Sequence, residues 1–163
     1  MQREASVRIR DVSAGDRAAL CSIIGRCANL SDEEKDCAKE LLDVYLDDSG
    51  QRDYSFIAAT SENDRPKGYA CFGKRPLADG VYDLYWIAVD PDERRRGVGK
   101  RLIEAVEAAV KARDGRILIA ETSGLDANMA VRDFYIRGGF KEEARIKDFY
   151  RTGDALVIYA RRF

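Results

Sequence analysis

A chain of 163 residues with 45% hydrophobic and 35% charged side chains has the length of one domain spanning residues 1–163 and the composition of an ordinary soluble protein. Its formal net charge of -1 supplies no global attraction to nucleic acid or anionic membranes, so partners have to be read locally. Four cysteines without a C-x-x-C pair and no histidine at all argue against a zinc site of the usual Cys/His kind and remove the Ser-His-Asp triad and the Cys-His dyad, leaving acid-base chemistry to carboxylates, tyrosine, lysine or water.

Met1-Gln2-Arg3-Glu4 carries no apolar run, and no stretch approaches about 18 apolar residues, so a cytoplasmic protein with reduced thiols is expected. Val7-Arg8-Ile9-Arg10 alternates apolar and charged residues before Asp11, the pattern of a short strand. Ser13 fits an N-cap with Asp16 three residues on, and Leu20, Ile23, Ile24 and Cys27 recur at helical spacing. Ser31-Asp32-Glu33-Glu34 has the form of a capping box, and Cys37, Leu41, Val44 and Tyr45 trace one face of a second helix ending near Asp48-Ser49-Gly50. Residues 31–50 hold eight acidic and two basic side chains, either a solvated surface or an attraction for a cationic substrate.

Tyr54 to Thr60 and Lys67 to Gly73 read as a hairpin about the turn Ser61 to Pro66. After Asp79-Gly80, the run Val81 to Val89 is aromatic and β-branched almost throughout, as in a central strand covered on both faces, and Asp90-Pro91 stops it. Val98, Leu102, Ala105, Val106, Ala109 and Val110 form the apolar stripe of a helix, with Glu104, Glu107 and Lys111 on its other side and Asp114-Gly115 at its end. Arg116 to Thr122 is the next strand, which implies two parallel strands joined by a right-handed crossover. Asp126 is placed to cap a further helix in which Ala127, Val131, Phe134 and Gly138 share a face, with Gly138-Gly139 as terminator. Phe140 to Tyr150 and Ala155 to Ala160 flank Thr152-Gly153-Asp154 as a terminal antiparallel hairpin.

The junction between the central strand and the crossover helix reads Arg94-Arg95-Arg96-Gly97-Val98-Gly99-Lys100-Arg101. Two glycines spaced by one residue let backbone approach a ligand closely, and the helix that starts there directs unpaired N–H groups and its positive dipole end outward. Five basic side chains in eight residues strengthen that field, so the natural guest is an anionic group such as a pyrophosphate.

In its order β-α-α-β-β-β-α-β-α-β-β the chain resembles the GNAT superfamily of N-acetyltransferases. That family carries Gln/Arg-x-x-Gly-x-Gly/Ala after a strand ending in Val/Ile-x-Pro, and Val89-Asp90-Pro91 followed by Arg94-Arg95-Arg96-Gly97-Val98-Gly99 is similar to it position by position. A second family element is matched by Asn128, Phe134, Tyr135 and Gly139-Phe140, with Val131 standing where alanine is usual. The resemblance implies an α/β (α+β) fold, a single domain with a mixed central sheet of about seven strands and about four helices.

It also implies acetyl-CoA as acyl-donor cosubstrate, with no metal. Cofactor contacts would come from Trp86, Ile87, Ala88, Val89, Arg94, Arg95, Arg96, Gly97, Val98, Gly99, Lys100, Asn128 and Tyr135. The amides of Arg95 to Lys100 would hold the pyrophosphate, each dipole contact contributing on the order of 0.3 to 1 kcal/mol. Backbone groups of Ile87 and Val89 would pair with the pantetheine amides, the acetyl group lying beside Trp86, Ile87 and Glu121-Thr122. An N–H of Ile87 or Ala88 would polarise the thioester carbonyl, and Tyr135, with an unperturbed pKa of about 10, would protonate the departing thiolate. Asp83 is the first choice of general base, Glu121 the second, and a water chain the third.

The expected acceptor is a primary amine of a small molecule, an amino acid or polyamine-like compound, bound between the first two helices, the strand around Tyr54 and Phe72, and the hairpin near Asp148, Phe149 and Tyr150. The alternatives are a peptide or protein N-terminus or lysine, and a non-catalytic acyl-CoA-binding regulator. The expected partners include no nucleic acid and no membrane, and the resemblance leaves room for a homodimer. Gly97-Val98-Gly99-Lys100 lacks the spacing of a P-loop or a dinucleotide fingerprint. A nucleic-acid module using Arg94-Arg95-Arg96 is opposed by the mildly acidic balance.

Overall fold

A computed structural model describes residues 6–163; residues 1–4, read above for their lack of an apolar run, lie outside the described residues. The elements, in chain order, are β1 (Arg8–Asp11), α1 (Arg17–Gly25), α2 (Asp32–Asp47), β2 (Ser55–Thr60), β3 (Pro66–Lys74), β4 (Val81–Val89), α3 (Val98–Lys111), β5 (Ile117–Ser123), α4 (Met129–Arg137), β6 (Lys141–Arg151) and β7 (Asp154–Arg162). This is the expected α/β order, with four helices on a mixed sheet of seven strands in the order β1-β2-β3-β4-β5-β7-β6. Every neighbouring pair is antiparallel except β4 and β5, the parallel pair joined through α3.

Two cores lie on the two faces of the sheet. Leu102, Val106 and Val110 of α3 pack with Phe72, Tyr82, Leu84, Leu118 and, from α4, Tyr135. Leu20, Ile23 and Ile24 of α1 and Ala38 and Leu42 of α2 cover Phe56, Tyr69 and Cys71 on the opposite face. Each fully buried side chain of this size contributes about 1.5 to 3 kcal/mol, which holds the sheet firmly on both sides of an opening at its centre.

That opening is a fork. Parallel pairing between β4 and β5 runs from Val81 opposite Ile117 to Leu84 opposite Ala120 and stops. β4 nevertheless continues along β3 to Val89, and β5 along β7 to Ser123. On β3, Cys71 faces Trp86 while Phe72 faces Leu84, so Tyr85 is the extra residue of a β-bulge. A bulge bends its strand and increases the local twist, which turns the C-terminal half of β4 away from β5.

Several sequence expectations shift here. The buried stripe of α2 is Ala38 and Leu42, with Tyr45 and Leu46 packed against the core, whereas Cys37 and Val44 are exposed. The apolar positions admit two stripes about 100° apart, and the one containing two leucines wins. Ile103 joins the buried face of α3, and Glu107 is not solvated but pairs with Arg161 at 3.2 Å. Asp126 does not cap α4: it lies inside a short 3-10 turn, Asp126–Asn128, and Asn128 is the N-cap residue. Of Gly138-Gly139, Gly139 alone takes the left-handed conformation, at φ 85°.

Candidate active site

The first turn of α3 opens on backbone of left-handed conformation at Arg95 (φ 61°) and Gly97 (φ 79°). No side chain caps Gly97, and the first α3 bond runs from the Arg101 N–H to the Gly97 carbonyl at 3.0 Å. Among the described residues, the N–H groups of residues 95–100 have no protein acceptor. Successive donors on an alternating backbone, at the positive end of a helix, form an anion-binding concavity.

The two glycines divide the labour in a way the spacing alone does not show. A Cβ at Gly97 would meet nothing within 4 Å, so the positive φ is what requires glycine there. A Cβ at Gly99 would stand 3.0 Å from the Phe134 ring, so Gly99 serves the close approach of α3 to α4. Arg96 pairs with Glu93 at 3.4 Å, and Lys100 and Arg101 reach Glu104 at 3.9 and 3.8 Å. Arg94 and Arg95 form no ion pair among the described residues. Between α3 and α4 lies a cavity of about 440 Å³ lined by Lys100, Ile103, Phe134, Arg137 and Arg161 among others. Nothing in the spacing of Arg137 and Arg161 marks them in the sequence: Arg137 ends α4, and Arg161 comes from β7, where it pairs with Glu107 at 3.2 Å.

Beside this loop the fork presents Trp86, Ile87, Ala88 and Val89 on β4 and Glu121 to Ser123 on β5, on edges that do not pair with each other. Asn128 is buried, and its Oδ1 has no hydrogen-bond partner. A buried amide oxygen left without a donor costs about 1 to 3 kcal/mol, and an incoming N–H such as that of a pantetheine amide would satisfy it. Tyr135 is 5% exposed among the rings of Phe134, Phe140 and Tyr159, with centroids 5.3 to 5.8 Å away. Burial pushes its phenol well above the ordinary tyrosine value, so it carries its proton throughout the neutral range.

The two candidate bases differ sharply. Asp83 lies in the paired part of β4, opposite Ile119, with a side chain only 12% exposed. Arg75 Nε donates to both of its oxygens at 3.0 Å, and Nη2 donates to Oδ1 at 2.7 Å. Glu121 is the first β5 residue beyond the paired stretch, and its side chain is 43% exposed. Its contact to Arg75 Nη2 is longer, 3.6 Å. Arg75, immediately after β3, was missed in the sequence because no motif pairs it with a residue eight positions on. Tyr54 and Tyr85 meet edge to face at 5.4 Å, and burial, with Asp83 and Tyr54 nearby, pushes the Tyr85 phenol up to about 12. Burial also raises the Tyr150 phenol, with the carboxylates of Glu121, Glu34 and Asp154 adding to the effect. Phe72 does not join Tyr54: it is fully buried on the α3 side, with Arg113 over its ring at 5.3 Å. The acidic face of α2 is partly neutralised, since Arg17 pairs with both Asp43 and Asp47.

Comparisons with known proteins bear on the family and the fold. Residues 19–140 match the family described as Acetyltransferase (GNAT) family. A Desulfovibrio desulfuricans structure described as of the GNAT family superposes with a TM-score of 0.88 at 39% identity, covering 96% of this chain and 99% of that one. The ribosomal-protein-S18-alanine N-acetyltransferase of Escherichia coli shares the fold at a TM-score of 0.74 and 23% identity, covering 96% and 94%. An aminoglycoside 6'-N-acetyltransferase complexed with coenzyme A gives 0.74 at 15% identity, over 95% and 96%. Among curated proteins, the S-(2-succino)cysteine N-acetyltransferase of Bacillus subtilis is 28% identical over 69 residues, a match spanning 42% of this chain and 42% of that relative's length.

Proposed function

The chain belongs to the GNAT family of acetyltransferases, and on that premise we propose that it transfers an acetyl group from acetyl-CoA to a primary amine of a small molecule by direct attack in a ternary complex. The observation that carries this reading is the run of unpartnered amides at residues 95–100 beside the open edges of β4 and β5. Acetyl-CoA supplies, when bound, an activated thioester carbonyl. The amides take the pyrophosphate, with Arg94 and Arg95 adding charge; Ile87 and Val89 offer backbone groups to the pantetheine arm, and Asn128 Oδ1 accepts from it. An N–H of Ile87 or Ala88 polarises the carbonyl.

Tyr135, held protonated by burial, gives its proton to the departing thiolate. Of the two carboxylates, Glu121 suits the base role better. It is half exposed and only loosely held, while both oxygens of Asp83 are engaged by Arg75. Asp83 then serves to hold Arg75 at the base of the fork. The exposed Glu121 carboxylate at the fork favours a cationic acceptor, and the Bacillus subtilis relative, named for a cysteine derivative, supports a small amino compound such as an amino acid over a protein.

A thiol-release assay over amino acids, polyamines, aminoglycosides and short peptides tests the reading. Thiol release dependent on a free small-molecule amine is expected. Coenzyme A binding with no release across the panel would instead make the chain an acyl-CoA-binding regulator, and release with peptides alone would move the acceptor class.

A further inference from the structure

The amide run can bind an anion only if the segment leading into it is held still, and what holds it comes from the other side of the sheet. After β4, Asp90 donates its N–H to the Lys67 carbonyl at 2.8 Å, and its carbonyl accepts the Glu93 N–H at 2.8 Å. Its buried carboxylate makes two further contacts: Oδ1 accepts the Asp92 N–H at 3.0 Å, and Oδ2 accepts Arg26 Nη2 at 2.7 Å. Nη1 of the same guanidinium reaches Asp92 at 3.2 Å. Arg26 is the C-cap residue of α1, and Leu20, Ile23 and Ile24 anchor that helix in the core. Beyond Glu93, which Lys67 and Arg96 each approach at 3.4 Å, the backbone passes through two left-handed residues with no other hydrogen bond until Arg101.

We propose that Arg26 is a positioning residue for cofactor binding: by gripping Asp90 and Asp92 it fixes the turn from which the amides of residues 95–100 project. The proposal rests on the reading that these amides bind the pyrophosphate of acetyl-CoA. The geometry is that of a clamp. One planar guanidinium spans two carboxylates on either side of Pro91, and the partner carboxylate it grips most closely is buried at the root of the loop. Burial opposes ionisation of Asp90, yet the Asp92 amide and Arg26 together hold it below the usual carboxylate range, so it stays charged and able to grip. Arg26 ends α1, which packs on the face of the sheet opposite α3, so the clamp ties the loop to the other face mechanically.

The test is calorimetric titration of coenzyme A into the wild-type chain, Arg26→Gln and Arg26→Lys, with apo thermal midpoints measured alongside. The expected result is a Kd raised about tenfold in Arg26→Gln and partly restored in Arg26→Lys, the loss converging with that of Asp90→Asn rather than adding to it. Where turnover is measurable, KM for acetyl-CoA rises while kcat at saturation holds. A wild-type Kd retained in Arg26→Gln, whatever happens to the midpoint, overturns the clamp and leaves the proposed function intact. Failure of the wild-type chain to bind coenzyme A overturns both. Arg26 is exposed and the lysine variant keeps the charge, so at least one variant folds and reports.

Discussion

The two ends of the fork present their polar groups by different means. At the start of α3 the donors are backbone amides, presented by two left-handed residues and an uncapped helix end, and the arginines around them are exposed and loosely paired. At the base of the fork the actors are side chains already engaged with one another, Arg75 gripping Asp83 and standing 3.6 Å from Glu121. A backbone site keeps its geometry when single side chains around it change; a side-chain site is redefined by each one. On the proposed function, the amide run would be the part that tolerates change, and the base of the fork the part that each side chain redefines.

Substitutions that break this contrast rank by size. Gly99→Glu should weaken coenzyme A binding about 100-fold, because overpacking against Phe134 costs about 1 to 3 kcal/mol and displaces the first turn of α3, which carries the amides. An unchanged calorimetric Kd would remove the amide run from the account. Tyr135→Phe should lower kcat by roughly 100-fold, the typical worth of a positioned general acid, with coenzyme A affinity nearly unaltered. An unaffected kcat would mean that another group protonates the thiolate. Glu121→Gln should cost about tenfold in kcat/KM, whereas Asp83→Asn should mainly lower stability, by about 1 to 2 kcal/mol for a charged hydrogen bond lost, read as a lower thermal midpoint. The reverse pattern would restore Asp83 as the base.

The smallest effect is on stability in acid. Arg10, bonded to Asp16 at 2.7 and 3.0 Å, holds the Asp16 carboxyl below its ordinary value against the opposing effect of burial. A depressed folded value stabilises the protein fully above the ordinary carboxylate range, and that stability is lost as pH falls through the folded value. Thermal midpoints measured downward from pH 5 should therefore drop, and Asp16→Asn should flatten the drop. An identical acid slope in the variant would place the acid sensitivity elsewhere.

How much of this was legible in the sequence follows the same division. The fold was largely readable because periodicity and turn chemistry are local: Val81 to Val89, the capping box at Ser31 and the stripe through Leu102 and Val106 all appear where the pattern places them. The amide run was readable because Gly-x-Gly after Val-x-Pro is a local signal. Arg75, Arg26 and Arg161 were not, since each finds its partner (Asp83, Asp90 and Glu107) only through folding. The α2 face was misassigned for a similar reason: Cys37 and Val44 have the right spacing, but burial is decided by the sheet beneath, which takes Ala38 and Leu42. The bulge at Tyr85 that opens the fork leaves no trace in composition, being a property of register between β3 and β4.

Amide chemical shifts of the isotopically labelled chain, followed as coenzyme A is added, test the central claim most directly. Saturable shifts are expected, largest at Gly97, Val98, Gly99 and Lys100 and absent in Gly99→Glu. Shifts confined to other parts of the chain, with residues 95–100 undisturbed, would contradict that claim.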